Sequence, residues 1–211
     1  MQIIKHNTAS LDVDAQKTFS PLCPDELPVV DAEAIVPELN QQAQFARLRL
    51  GSKDAHSPTA IWVANAAAPM LTPLVGDNVD CYWSVHAVPG TPGFELLPGL
   101  PHPKQYDFFV WKGIEPDMHP YGACYHDHAN RLSTGLIEYL RQEHIDTVIV
   151  GGLALDYCVK TTVLQLIKAG FRVIINLAAT RGINEQSSYT AIEELKNKGI
   201  EFISSAIELE N

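Results

Sequence analysis

Apolar positions along the chain alternate between two periods. Thr8 to Val13 (TASLDV), Phe45 to Leu50 (FARLRL), Tyr106 to Trp111 (YDFFVW), Asp146 to Gly151 (DTVIVG), Arg172 to Leu177 (RVIINL) and Glu201 to Ser205 (EFISS) read as strands. FARLRL alternates like a half-covered strand, whereas DTVIVG is continuously apolar, as expected of a strand covered on both faces. Between these runs apolar residues recur at helical spacing: Ile35, Leu39, Ala43 and Ala46; then Leu132, Leu136, Ile137 and Leu140; then Val159, Val163, Leu166 and Ile167; then Tyr189, Ile192 and Leu195. Pro37 fits the first helix only in its first turn or at a kink. Gly170 is placed to close the third. The alternation predicts an α/β fold: a three-layer, doubly wound, mostly parallel sheet of about six strands with helices on both faces. The 211 residues make one domain, 1–211. The stretch around 52–105, rich in Pro and Gly, reads as a long loop insertion, and loops of that length are usually functional or disordered.

Composition narrows the partners. A formal net charge of −10 argues against a nucleic-acid surface, which would be basic. It gives no attraction to anionic membranes, and no apolar run approaches the ~18 residues of a spanning helix. The start, MQIIKHNTAS, lacks the basic and then apolar regions of a signal peptide. Cys23, Cys81, Cys124 and Cys158 are scattered with no CxxC pair, so a reducing compartment and a cytoplasmic location are expected.

In parallel α/β sheets, ligands bind beyond the carboxyl ends of the strands. Asp14 follows the first predicted strand, Asp54 and His56 the second, Lys112 the third and Cys158 the fourth. Asp156 reads as an N-cap, which puts Cys158 in a first helical turn, where free N–H groups and the dipole favour a thiolate. Lys112 could lower the thiol pKa further, and Asp14 could accept its proton. Gly151 and Gly152 suit a tight turn whose N–H groups could line an oxyanion hole. Asp54 and His56, two residues apart in extended chain, project to one side as a divalent metal requires, and His86 could join them from the long loop. Each residue also has a plainer reading: a small buried thiol, a solvated lysine at a strand end, a solvated Asp12–Asp14 pair, polar loop residues. Their shared position at one rim is the stronger signal.

The motifs that contain these residues resemble the isochorismatase-like cysteine hydrolases, and within them the nicotinamidase/pyrazinamidase group, over about Leu11 to Ile203. DVDAQKTF is similar to the first-strand motif, with Asp14 at the catalytic aspartate and Gln16 and Phe19 matching its glutamine and phenylalanine. KDAHS resembles the metal motif, WSVHAVPGTPG the tryptophan–histidine–GTxG segment, VWKG the catalytic-lysine position, and GGLALDYCVKTTVLQLIKAGFRV the nucleophile segment. The resemblance implies hydrolysis of nicotinamide to nicotinate and ammonia through a thioester on Cys158. Asp14 would take the thiol proton and Lys112 would hold the ionisation states. The backbone N–H groups of Ala154 and Cys158 would form the oxyanion hole, after a cis Leu153–Ala154 bond. Phe19 and Trp83 would sandwich the ring, with Tyr121 a further pocket residue. Asp54, His56 and His86 would hold zinc or iron, which binds the pyridine nitrogen and positions water. The family has a further histidine or glutamate soon after its metal motif; here Trp62 and Asn65 stand six and nine positions after His56. A three-ligand site completed by water, with weaker metal retention, is the expectation. Other readings stay open: a related hydrolase of another small amide or a vinyl ether, and a non-catalytic binding protein on the same fold. A homo-oligomer is compatible with the sequence.

Overall fold

The structure, a computed structural model, describes residues 1–210. Eight strands form two sheets: β1 Thr8–Val13, β2 Leu48–Asp54, β3 Pro73–Gly76, β4 Val79–Cys81, β5 Phe108–Lys112, β6 Thr147–Leu153, β7 Arg172–Arg181 and β8 Glu201–Ile203. Six of them make a wholly parallel sheet in the order β5-β2-β1-β6-β7-β8, and β3 and β4 form a separate antiparallel hairpin. The α-helices are α1 Val36–Gln42, α2 Leu136–Gln142, α3 Lys160–Lys168 and α4 Glu185–Asn197. The sheet is covered on both faces. Val148 and Val150 of β6 pack with Leu140 of α2, Val163 and Leu166 of α3 and Leu195 of α4. Ile149, one residue out of phase, lies in the opposite cluster with Ile174 and Ile203, capped by Ala206 and Leu209. Leu39 of α1 covers the same face, against Gly151 and Ala179.

Strand order reverses between β1 and β6, so the crevice beyond their carboxyl ends is where this fold binds ligands. Glycines let the two strands close there. A Cβ on Gly152 would stand 1.9 Å from the Val13 carbonyl oxygen, and Gly152 has φ +122°. Gly151 and Gly152 therefore lie inside β6, in register with Asp12 and Val13, and not in the turn expected beneath a ligand.

Other expectations shift by a few residues. Pro37 does sit in the first turn of α1, and the predicted Asp31–Ala46 helix is broken into 3₁₀ turns at Ala32–Ile35 and Ala43–Phe45 around it. Phe45 thus precedes β2. Gly170 ends α3 with φ +95°, as its position implied. Leu132 is exposed and lies ahead of α2, and Tyr189 is exposed on α4, so neither belongs to a buried helical stripe. The 52–105 region begins with the end of β2 and contains the β3–β4 hairpin, so it is partly regular structure. Asp156 does not cap α3. Its carboxylate accepts from the Ile183 and Asn184 N–H groups at 3.0 and 3.3 Å and from the Ser187 hydroxyl, tying the start of α4 to the Leu155–Val159 turn. Among the described residues no helix is long and apolar enough to cross a membrane.

Candidate active site

Asp12 and Asp14 part company at the end of β1. Asp12 stays in the strand, where its Oδ2 accepts from Arg49 Nε and Nη2 at 2.9 and 2.7 Å and from the Tyr106 hydroxyl at 2.9 Å. Asp14 lies one residue past the strand with φ +45° and is fully buried. Its Oδ1 accepts from Ser52 Oγ at 2.7 Å. Its Oδ2 lies 3.0 Å from Lys112 Nζ and has no well-directed hydrogen bond, leaving a lone pair open towards the site.

Lys112 ends β5, in register with Asp54 at the end of β2. Its ammonium contacts Asp14, Asp54 and the Pro120 carbonyl (3.1 Å), and lies 3.8 Å from Cys158 Sγ. Cys158 Sγ and carboxylate oxygens of Asp14 and Asp54 lie within 4.8 Å of one another. Four strand ends thus deliver the thiol, the amine and both carboxylates to one buried point.

The charges follow from this packing. Burial favours a neutral Lys112, but Asp14 and Asp54 outweigh it and hold the ammonium charged well above the usual lysine range. Burial raises Asp54 as well, yet Lys112 and then His56 overcome it and keep that carboxylate ionised. Asp14 is pushed up to about 6, mainly by burial, against the pull of Lys112. Burial pushes the Cys158 thiol well up, and Lys112 offsets only part of that because Asp54 and Asp14 also disfavour the thiolate. The expected resting thiolate is thus corrected to a thiol beside an ionisable carboxylate. The reason is local: Cys158 sits in a π-helical turn, Leu155–Val159, ahead of α3 and between two carboxylates. The Leu153–Ala154 bond is cis, as expected. The Tyr157 and Val159 N–H groups both donate to the Ala154 carbonyl at 3.1 Å, closing the turn around the sulfur.

A cavity of about 260 Å³ opens above Cys158 and Ala154. Phe19, Leu27, Trp83, Tyr121, Tyr157 and Ile183 give it apolar walls, and Asp54, His86 and His119 add polar ones. Trp83 Nε1–H donates to the Tyr121 hydroxyl at 3.1 Å, which donates to Asp80 at 2.7 Å. Tyr121 thus touches the cavity and sets the tryptophan's orientation.

Asp54, His56 and His86 do converge. His56 Nε2 is 3.4 Å from Asp54 Oδ1, and the two imidazole centroids are 4.7 Å apart. His56 Nδ1 faces the Gly113 carbonyl at 3.0 Å, and His86 Nδ1 faces that of Ser84 at 2.7 Å. A carbonyl only accepts, so each Nδ1 carries the proton and each Nε2 keeps its lone pair. Metal-bound histidines show the same arrangement. Gln16 fixes Asp54 by donating to its carbonyl (2.9 Å) and accepting from its N–H (2.8 Å). Imidazole and carboxylate donors fit a borderline divalent cation such as zinc or iron. Sequence reading missed His119, whose ring nitrogen lies within 4.8 Å of those of His56 and His86. It stands outside the segments that carry the metal motifs, and only the fold brings it close.

The model of the isochorismatase domain matches residues 8–207 of this sequence. The chain belongs to the isochorismatase family. It is 38% identical over 189 residues to a nicotinamidase of Escherichia coli, covering 87% of each chain. Its fold superposes on a nicotinamidase/pyrazinamidase of Acinetobacter baumanii with TM-score 0.87 and 28% identity, covering 96% of this chain and 98% of the other. It also resembles a pyrazinamidase of Pyrococcus horikoshii in complex with zinc, with TM-score 0.74 and 27% identity, over 93% and 98% of the two chains. Within the isochorismatase family, then, the chain shares its fold and much of its sequence with proteins described as nicotinamidases and pyrazinamidases.

Proposed function

We propose that the chain is an amidohydrolase that converts nicotinamide to nicotinate and ammonia in the cytoplasm. The observation that carries the reading is the buried Asp14–Lys112–Cys158 cluster beneath a small apolar cavity. As the carboxamide carbon approaches Cys158, the Sγ proton passes to the Asp14 carboxylate, which has an oxygen within 4.8 Å of the sulfur and leaves Oδ2 without a hydrogen-bond partner. The sulfur then forms the C–S bond, and the carbonyl π electrons move to oxygen. The backbone N–H groups of Ala154 and Cys158 receive that oxyanion. The tetrahedral adduct collapses, the C–N bond breaks, and the proton held by Asp14 leaves with ammonia. Water, deprotonated by Asp14, cleaves the resulting thioester and releases nicotinate with the thiol restored.

Lys112 stays protonated throughout and compensates the negative charge that moves between Cys158 and Asp14. Phe19 and Trp83 hold the ring, with Tyr121 bracing Trp83. Asp54, His56 and His86 would hold a zinc or iron ion, which supplies a Lewis-acid contact for the pyridine nitrogen and a bound water. The mostly apolar walls, with Phe19, Trp83, Tyr121 and Tyr157 among them, suit a flat aromatic ring whose carboxamide reaches Cys158.

The test is ammonia release from nicotinamide by the purified protein, beside pyrazinamide and aliphatic amides, with Cys158→Ala as control. Release from nicotinamide that the variant abolishes is expected. Release only from other amides assigns a different substrate to the same machinery.

A further inference from the structure

We propose that His119 is a ligand of the metal, delivered by the 60–82 insertion, and that it takes the coordination place that Trp62 vacates. This rests on the reading of Asp54, His56 and His86 as a metal site. Trp62 cannot coordinate, because its indole nitrogen only donates. It is fully buried, and its ring fills space instead, edge-on to His56 at 4.7 Å and to His119 at 4.4 Å.

The imidazole of His119 is 3% exposed, and neither ring nitrogen has a hydrogen-bond partner. A histidine kept only for packing would satisfy at least one of them, since an orphaned buried polar atom is costly. His56 Nε2 is likewise buried and unpartnered, 4.9 Å separating the two ring centroids. A cation among His56, His86 and His119 would satisfy the bare nitrogens together.

The insertion supplies the positioning. His119 N–H donates to the Asn78 carbonyl at 2.8 Å, in the turn between β3 and β4. Asn78 Oδ1 accepts from the His128 N–H at 3.3 Å, and His128 Nε2–H donates to the His119 carbonyl at 2.8 Å. Trp62 Nε1–H donates to the Met118 carbonyl at 2.9 Å, and Ile61 N–H to that of Pro116 at 2.9 Å. Both ends of the insertion are thereby bonded to the segment that carries His119. A ligand contributed this way gives a three-imidazole set beside Asp54, so retention should be tight, contrary to the weaker retention expected when three ligands were counted.

The experiment strips the whole protein with a chelator and reloads it with cobalt(II) or zinc(II). Wild type should bind one ion, and the cobalt protein should show hyperfine-shifted exchangeable N–H resonances from His56, His86 and His119. His119→Ala should weaken zinc affinity on the order of 100-fold in chelator competition and change the cobalt visible spectrum; His119→Glu should recover part of it. His119→Ala that folds and keeps wild-type affinity and spectrum overturns the inference while leaving the metal reading intact. If that variant does not fold, the wild-type resonances decide: signals from His56 and His86 alone overturn it. No binding by wild type overturns the metal reading itself.

Discussion

Ser52→Ala isolates the base. Ser52 Oγ donates to Asp14 Oδ1 at 2.7 Å inside a fully buried site, so it stabilises the ionised carboxylate. A hydrogen bond to a charged group contributes about 1.5–3 kcal/mol, and 1.36 kcal/mol is one pKa unit, so its loss raises Asp14 by about one to two units. The wild-type group, held at about 6 chiefly by burial, is mostly ionised at neutral pH. The variant's pKa would lie near about 7–8, which lowers the competent fraction at about pH 7 by roughly twofold to tenfold. The assay is the pH profile of kcat/KM for ammonia release, which reports groups of the free enzyme. The acid limb should move to higher pH and the plateau should recover above it, and Ser52→Thr should restore the limb. An unmoved limb with a uniformly lower plateau would refute Asp14 as the titrating base.

Asp12→Ala should lower stability by about 3 kcal/mol, because it strands the Arg49 guanidinium, 16% exposed, without its buried partner; Asp14→Asn should instead abolish turnover with little change in the melting curve. Gly152→Ala should cost at least about 3 kcal/mol, since the added Cβ meets the Val13 carbonyl at 1.9 Å, and calorimetry should show Tm falling by about 6–12 °C. In the metal-free protein, burial and then His56 hold His86 down at about 3, and burial holds His119 well below 6.5. The unfolded chain therefore binds more protons below about pH 6.5, and stability is lost as pH falls. Asp14, raised to about 6, opposes part of this, so denaturant titrations should show a net loss of about 2–3 kcal/mol from about pH 7 to about pH 5. A flat profile would contradict the buried neutral histidines.

Strands and helix stripes were legible because burial on both faces writes long apolar periods into the chain. β1 falls on Thr8–Val13 as read, β7 runs past its predicted end, and β6 starts one residue later than read and runs two further. The rim was legible for a topological reason: each reactive side chain follows a strand of one parallel sheet. What failed was set by long-range contacts. Asp156 has the type and position of an N-cap, but its carboxylate is drawn to α4. Cys158 sits at a helix start, but two carboxylates more than a hundred residues away in sequence set its charge. His119 carries no local signal, because the hydrogen bonds that place it come from a hairpin forty residues earlier. Its one trace in the sequence was negative: a tryptophan where a ligand was expected.

The central claim is tested most directly by acid-quenching the protein during turnover of nicotinamide and mapping its cysteine peptides by mass spectrometry. The account predicts one nicotinoyl group replacing the thiol hydrogen of Cys158, with Cys23, Cys81 and Cys124 unmodified and no turnover by Cys158→Ala. Ammonia release that survives in Cys158→Ala would contradict it.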